Sequence, residues 1–332
     1  MILAGDIGGT KVNFGLFDFV AGELRLEQFA GYLVKELGSL DEALEKFLKD
    51  ARAQPDRACI GVAGPVLNGR CQLTNVDLEI DSASLKSRFG FSKALLVNDL
   101  AATAASLPLL KEADLLVLQA GKPVDSGRKA VVSAGTGLGQ AYLISQGDGK
   151  FQILDTEGGQ CGFAPSTHEQ LKLCSSFIDA GLSLTIEDLL SGPGLERIYK
   201  YFNKPEESSK ENEGTAGHKI KLTAAEILEE SCQDDSSLGR RVINLFASML
   251  GAVSGDMALR LLATGGVYIG GGIPPKILKE PQQKLFLESF RNKKKFNTFM
   301  ESVPVYMIIN ERAPLWGAAG LLVNPHIIIP ES

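Results

Sequence analysis

The chain has 332 residues, 44% of them hydrophobic, 22% charged and 36 of them glycine, enough for two domains with separate cores and many tight turns. A formal net charge of −6 excludes nucleic acid as the main partner, and the basic run Lys293-Lys294-Lys295 reads as a solvated helix face. No stretch is apolar without interruption over the ~18 residues that a membrane span needs, so no membrane partner is expected.

The N-terminus leads directly into an alternating apolar run, and Pro330-Glu331-Ser332 is not a targeting signal. The expected compartment is therefore the cytoplasm. Cys59, Cys71, Cys161, Cys174 and Cys232 form no CxxC pair, and His168, His218 and His326 are scattered. They read as buried small thiols and surface imidazoles rather than a zinc site.

The opening stretch, Ile2 to Phe17, is an apolar run, then Gly5-Asp6-Ile7-Gly8-Gly9-Thr10, then a second alternating run. The pattern predicts a strand, a tight turn of phosphate size and a returning strand. Its glycines let the backbone approach an anion, Thr10 adds a hydroxyl donor, and Asp6 is placed to hold a cation or its waters. A plain hairpin with a demanding turn fits the same residues. Leu24 to Val34 supplies a third strand. Ser39-Leu40-Asp41-Glu42 starts an amphipathic helix with Leu40, Ala43, Leu44, Phe47 and Leu48 on one stripe. Ala58 to Val62 is a buried strand ending at Gly64-Pro65, which completes a βαβ unit. Leu73-Thr74-Asn75 reads as a loop, and Ser82 to Phe89 as a helix stopped by Gly90.

Lys93 to Val97 is a strand that delivers Asn98 and Asp99 to its carboxyl end, before an Ala-rich helix from Leu100 to Leu107. Strand carboxyl ends line the ligand crevice of an open α/β sheet, so the pair is a site candidate. Asp is also an ordinary helix cap, and pattern alone leans towards that reading. Ala130 to Ala134 is the next buried strand and enters Gly135-Thr136-Gly137-Leu138-Gly139, followed by the apolar strand Ala141 to Ile144. Neither Gly-rich turn is a Walker loop, and the second has GxGxG spacing with a strand behind it, so it is no dinucleotide fingerprint. Two similar strand–turn–strand units predict a duplicated α/β domain.

Phe151 to Leu154 is a strand, and Glu157-Gly158-Gly159-Gln160 a loop after it. Thr185 to Leu190 reads as a helix end before Ser191-Gly192-Pro193-Gly194, and Leu195 to Phe202 as a helix. The polar tract Pro205 to Gly214 reads as a mobile surface loop, and Thr223-Ala224-Ala225-Glu226 as a capping box. Leu238 to Leu262 sets small residues among large apolar ones, the pattern of a buried helix packed closely on a neighbour. Strand Val267 to Ile269 leads into Gly270-Gly271-Gly272-Ile273-Pro274-Pro275. That triple glycine either admits a flat ligand or only turns the chain. Val305 to Ile309 is a strand, Ala313 to Leu322 the last helix, and Pro325 to Pro330 an apolar extended tail.

Three Gly-rich turns at strand ends, one with an Asp and two with a Thr, resemble the actin-like ATPase superfamily of sugar kinases and heat-shock chaperones. Val97-Asn98-Asp99, Glu157-Gly158-Gly159, Glu187, Leu190 to Leu195 and Gly270 to Ile273 resemble, in order, the bacterial-type glucokinase family. The likeness runs from about Leu3 to about Leu322. It implies an α/β, two-domain actin-like (ribonuclease H-like) fold with a cleft between a small and a large domain. By the same likeness, residues 1–110 plus about 312–332 form the small domain and 111–311 the large one.

The resemblance implies an ATP:hexose 6-phosphotransferase acting on glucose, with Asp99 as the base that takes the sugar hydroxyl proton. It assigns Asn98, Asp99, Glu157, Gln160, Glu187 and Gly137 to the sugar. Gly8, Gly9, Thr10, Gly135, Thr136 and Gly137 fall on the phosphates of ATP, and Gly270, Gly271 and Gly272 on its adenosine. Asp6 would hold Mg²⁺ through water. A homodimer is implied in the same way. The family usually has His where this chain has Gln160, which bears on the choice of sugar; another hexose or an amino sugar is the alternative substrate. A non-catalytic sugar-responsive regulator and an acceptor-free ATPase are the other classes. The first is opposed by the retained Asp99, the second by the hydroxyl-binding set.

Overall fold

The computed structural model describes residues 1–36, 38–73, 78–203 and 222–329. Thr74 and Asn75 of the expected loop, the tract Pro205 to Gly214, His218 and the last residues from Pro330 lie outside them.

The first layer is a five-stranded sheet. Its strands are β1 (Ile2–Ile7), β2 (Lys11–Val20), β3 (Glu23–Leu33), β4 (Arg57–Val62) and β7 (Lys93–Asn98), in the order β3-β2-β1-β4-β7. The first three run as an antiparallel meander, and β4 and β7 add in parallel. Between β4 and β7, the hairpin of β5 (Arg70–Leu73) and β6 (Leu78–Asp81) forms a small separate sheet.

Helix α1 (Leu40–Ala51) starts where the Ser39 hydroxyl accepts from the Glu42 N–H at 3.1 Å, and it buries Leu40, Ala43, Leu44 and Phe47. Phe47 stacks on the fully buried Phe14 of β2 with ring centroids 5.6 Å apart. Burying such a side chain is worth about 1.5–3 kcal/mol. Helix α2 (Ser82–Phe89) ends at Gly90 in the left-handed region, as its sequence predicts. Helix α3 (Asp99–Ser106) follows β7 directly.

The second layer repeats the plan. Strands β8 (Leu115–Gln119), β9 (Lys129–Ala134), β10 (Leu138–Gly147), β11 (Lys150–Thr156), β12 (Gly266–Gly270), β13 (Val305–Ile308) and β14 (Ile327–Ile328) lie in the order β14-β11-β10-β9-β12-β13-β8. The run β11-β10-β9-β12-β13 has the arrangement of β3-β2-β1-β4-β7, so the duplication expected from the two Gly-rich turns is realised in the topology. The apolar tail has a role the sequence left open. It is an edge strand, pairing in parallel with β11 through Ile327 opposite Phe151.

Helices α4 (His168–Ile178), α5 (Ile186–Leu189), α6 (Gly192–Phe202), α7 (Ala224–Gln233) and α8 (Leu238–Leu261) pack on one face of this sheet with α9 (Pro274–Ile277), α10 (Glu280–Arg291) and α11 (Asn297–Ser302). Thr185 caps α5 with a capping box, so that segment begins a helix rather than ending one. Helix α8 is long and apolar enough for a membrane span by composition, contrary to the count of uninterrupted apolar residues. Its most apolar window is 78% buried within the fold. Its small residues let α10 come into backbone contact: a Cβ at Gly251 would lie 2.1 Å from the Phe286 carbonyl oxygen. Lys293 departs from the solvated run expected of it, since its Nζ donates to the Ala252 carbonyl at 2.9 Å and pairs with Asp256 at 2.6 Å. The last helix, α12 (Ala313–Gly320), returns to pack against α3 and β1.

Candidate active site

The carboxyl ends of β1, β7 and β9 converge on a cleft of ≈ 680 Å³. Its wall carries Gly8, Gly9, Asn98, Asp99, Gly135, Thr136, Gly137, Glu157, Gln160 and Glu187, ten of the residues singled out from the sequence. A second hollow of ≈ 690 Å³ lies between α1, α2 and the β5–β6 hairpin, and none of those residues lines it.

Asp99 stands at the first position of α3. The cap itself is Asn98, not the Asp, because the Asn98 side-chain oxygen accepts from the N–H groups of Leu100 at 2.8 Å and Ala101 at 3.3 Å. The Asn98 amide nitrogen donates to the Gly64 carbonyl at 3.2 Å, which leaves one of its N–H groups for a ligand. Asp99 Oδ1 accepts from Leu100 N–H at 2.8 Å. Its carboxyl is pushed up from an ordinary 3.8 to about 7, first by desolvation and then by the negative charge of Asp6, with Glu157 adding to it. The group keeps part of its surface open to the cleft, so that shift arises in a partly wet site.

Asp6, at the end of β1, also has a raised pKa, because burial outweighs the hydrogen bond that Asn13 Nδ2 donates to its Oδ2 at 3.2 Å. The turn beyond it closes by Gly8 N–H donating to the Lys11 carbonyl at 2.9 Å. The second turn closes alike, with Gly135 N–H donating to the Gly137 carbonyl at 2.8 Å. Gly270 pairs with Ser133 at the end of β12, and Ile273 N–H donates to the Ala134 carbonyl at 3.2 Å. The triple glycine therefore borders the second turn, although it and Asp6 and Thr10 do not line the cavity itself. Thr10 is exposed, and its carbonyl accepts from Val34 N–H at 3.0 Å.

Glu187, on α5, is tied at both oxygens. Oε2 accepts from Leu138 N–H at 2.8 Å and Oε1 from Gln160 Nε2 at 3.0 Å. A Cβ at Gly137 would lie 2.5 Å from Glu187 Oε2, so the second turn must be glycine there for the carboxylate to reach it. Gln160 ends the short turn Gly158–Gln160 that follows Glu157.

Sequence reading missed two charged residues of the wall, Asp188 and Arg197. They pair at 3.1 Å, and Arg197 Nη1 also donates to the Asp188 carbonyl. Arg197 supplies the cationic side chain of a wall otherwise bearing Asp99, Glu157, Glu187 and Asp188. Its signal was its place on the helix that Ser191-Gly192-Pro193-Gly194 opens.

Among the described residues no three His, Cys, Asp or Glu side chains gather as a metal cage. Mg²⁺ binds through one or two carboxylates plus waters and substrate phosphates rather than in an all-protein cage. Asp6, half-buried at the end of β1 with its pKa raised by desolvation, is the carboxylate that would hold such an ion through its waters.

Two sheets of matching order, each ending in a glycine turn on one cleft, define the class of protein: an actin-like ATPase fold. The family model described as Glucokinase matches residues 3–325. The glucokinase of Nostoc sp. (strain PCC 7120) is 32% identical over 335 residues, covering 96% of this chain and 98% of that protein. That of Caulobacter vibrioides (strain NA1000) is 34% identical over 324 residues, covering 96% and 93%. The crystal structure of a glucokinase from an Antarctic psychrotroph superposes with a TM-score of 0.81 at 32% identity, covering 97% of this chain and 98% of that one. At 20% identity, a ROK-family glucokinase from Streptomyces griseus in complex with glucose and AMPPNP shares the fold, with a TM-score of 0.65 and coverage of 96% and 98%. The chain belongs to the glucokinase family, and it is a hexose-kinase-type phosphotransferase with an alcohol group as acceptor.

Proposed function

We propose that this enzyme transfers the terminal phosphoryl group of ATP to the 6-hydroxyl of D-glucose, with Asp99 as the base. The observation that carries the reading is Asp99 itself, a cleft-facing carboxyl poised at about 7 and held by Leu100 N–H at 2.8 Å. A sugar hydroxyl is a weak nucleophile, and a carboxylate tuned to neutral pH both orients it and takes its proton as the phosphorus–oxygen bond forms. Phosphoryl transfer asks the protein mainly for positioning and charge neutralisation. Asn98, Glu157, Gln160, Glu187 and the Gly137 backbone grip the other hydroxyls, since paired acceptors and donors suit a ring of them.

Gly8, Gly9, Thr10, Gly135, Thr136 and Gly137 receive the phosphates, and Gly270, Gly271 and Gly272 the adenosine. When bound, Mg²⁺ at Asp6 would neutralise phosphate charge. Residues 1–110 with about 312–332 act as the small domain and 111–311 as the large one; the return of α12 to α3 and β1 supports this division, while Ile327 and Ile328, paired with β11, side with the large domain. A homodimer in the cytoplasm completes the reading.

Gln160 favours a second substrate choice, another hexose or an amino sugar. It donates to Glu187, and its amide can equally accept, so the hydroxyl it meets is not fixed by charge. The test is a coupled assay of ADP release with glucose, mannose, fructose and N-acetylglucosamine. Glucose is expected to give the highest kcat/KM. A higher value for N-acetylglucosamine moves the reading to an amino-sugar kinase, and no stimulation by any sugar overturns it.

A further inference from the structure

Glu187 is held by two segments that would serve different ligands. Its Oε2 fixes Leu138 N–H, the first residue after the Gly135–Gly137 turn, and its Oε1 takes a hydrogen bond from Gln160, the last residue of the loop opened by Glu157. The same three segments are laced together by backbone. Ile186 N–H donates to the Cys161 carbonyl at 2.9 Å, Gly162 bridges to Thr185, and Gly192 N–H donates to the Gly135 carbonyl at 2.8 Å. Glu187 is the side chain in this lattice that touches the second turn and the loop at once. Its approach to the turn is paid for by the missing Cβ of Gly137.

We infer that Glu187 is a positioning residue as well as a sugar contact: a strut that holds the second phosphate turn in shape and transmits sugar occupancy to it. The inference rests on the functional reading above for which ligand each segment serves. Without sugar, Glu187 already fixes the amide of Leu138, so the turn is preorganised for an anion. A sugar that orders the Glu157–Gln160 loop also orders Gln160, which restricts the carboxylate at its other oxygen. Sugar and nucleotide then bind with positive coupling, and the factor is the same in both directions.

Calorimetric titration of the wild type with AMPPNP and with glucose, each alone and with the other saturating, measures that coupling. The expected value is roughly five- to tenfold, the lower part of the usual range for coupled sites. Glu187→Ala is expected to weaken AMPPNP by a similar factor, roughly five- to tenfold, even with no sugar present, since an anchor of the turn is gone. A residue that only binds sugar predicts no change there. Glu187→Gln keeps an oxygen for Leu138 N–H, and Gln160 can turn its amide to face the new one, so sugar-free AMPPNP affinity should return to wild type. Gln160→Ala leaves the Leu138 bond, so sugar-free AMPPNP affinity should hold while the coupling falls towards one. Glu157→Ala should weaken glucose and leave sugar-free AMPPNP affinity unchanged.

Wild-type AMPPNP affinity in sugar-free Glu187→Ala overturns the strut. If that variant does not fold, full coupling in Gln160→Ala or failed recovery in Glu187→Gln overturns it. Failure of the wild type to phosphorylate any sugar overturns the parent reading instead, and the sugar-free nucleotide affinities still report on the strut.

Discussion

Asp99 is subject to opposing demands. Burial and the charges of Asp6 and Glu157 favour its protonated form, while its hydrogen bond from Leu100 N–H favours the ionised one, and the balance falls at about 7. A base must be ionised, so kcat/KM for the sugar should rise with pH and level off above about 7. Asp99→Asn keeps the acceptor for Leu100 N–H and removes the base. It should lower kcat by roughly 10²–10⁴-fold, the usual worth of a general base, while sugar affinity from titration is little changed.

The same shift has a consequence for stability. The folded carboxyl holds its proton from 3.8 to about 7, where the unfolded one has lost it, so Asp99 makes stability fall as pH rises through that window and stay low above it. Asp99→Asn should therefore raise Tm at pH 8 and leave it unchanged at pH 3.5. Retained turnover in that variant would remove Asp99 from the mechanism.

At the scale of elements, periodicity made most of the fold legible. The Leu40 to Leu48 stripe, the Gly90 stop and the capping box at Thr223 are local signals, and the structure realises each of them. Asn98 shows the limit of such signals. Asn and Asp are both good caps, and one residue of register between them decides which one caps the helix. Only β7 and its partner β4 fix that register.

The contact of α8 with α10 was foreshadowed by small residues, but the partner was not, because α10 lies beyond a strand and a turn. Gly251→Val would drive its Cβ into the Phe286 carbonyl and should cost about 1–3 kcal/mol as overpacking. Urea unfolding should show the loss, with kcat per folded molecule unchanged because the contact lies away from the cleft wall.

At the scale of the molecule, two sheets of matching order place one glycine turn each on a shared cleft, with α3 and α12 packed between their cores. Closure of the two sheets on bound ligands would exclude water as a competing acceptor. Small-angle scattering should show a smaller radius of gyration with glucose plus AMPPNP than with neither. An unchanged value would remove closure from the account.

The sequence by itself determined the central strands of both sheets, the helices marked by Ser39, Gly90 and Thr223, the duplicated Gly-rich turns and the Asn98-Asp99 pair, because backbone sterics and hydrophobic period act over a few neighbouring residues; the short strands β5, β6 and β8 and the helix α4 carried no such signal. Tertiary structure decided what those pieces do together. It alone set Glu187 between Leu138 and Gln160, brought Arg197 and Asp188 into the wall, made the tail an edge strand of the second sheet, and raised Asp99 to about 7. Desolvation and long-range pairing depend on residues far apart in the chain, which no local pattern brings together.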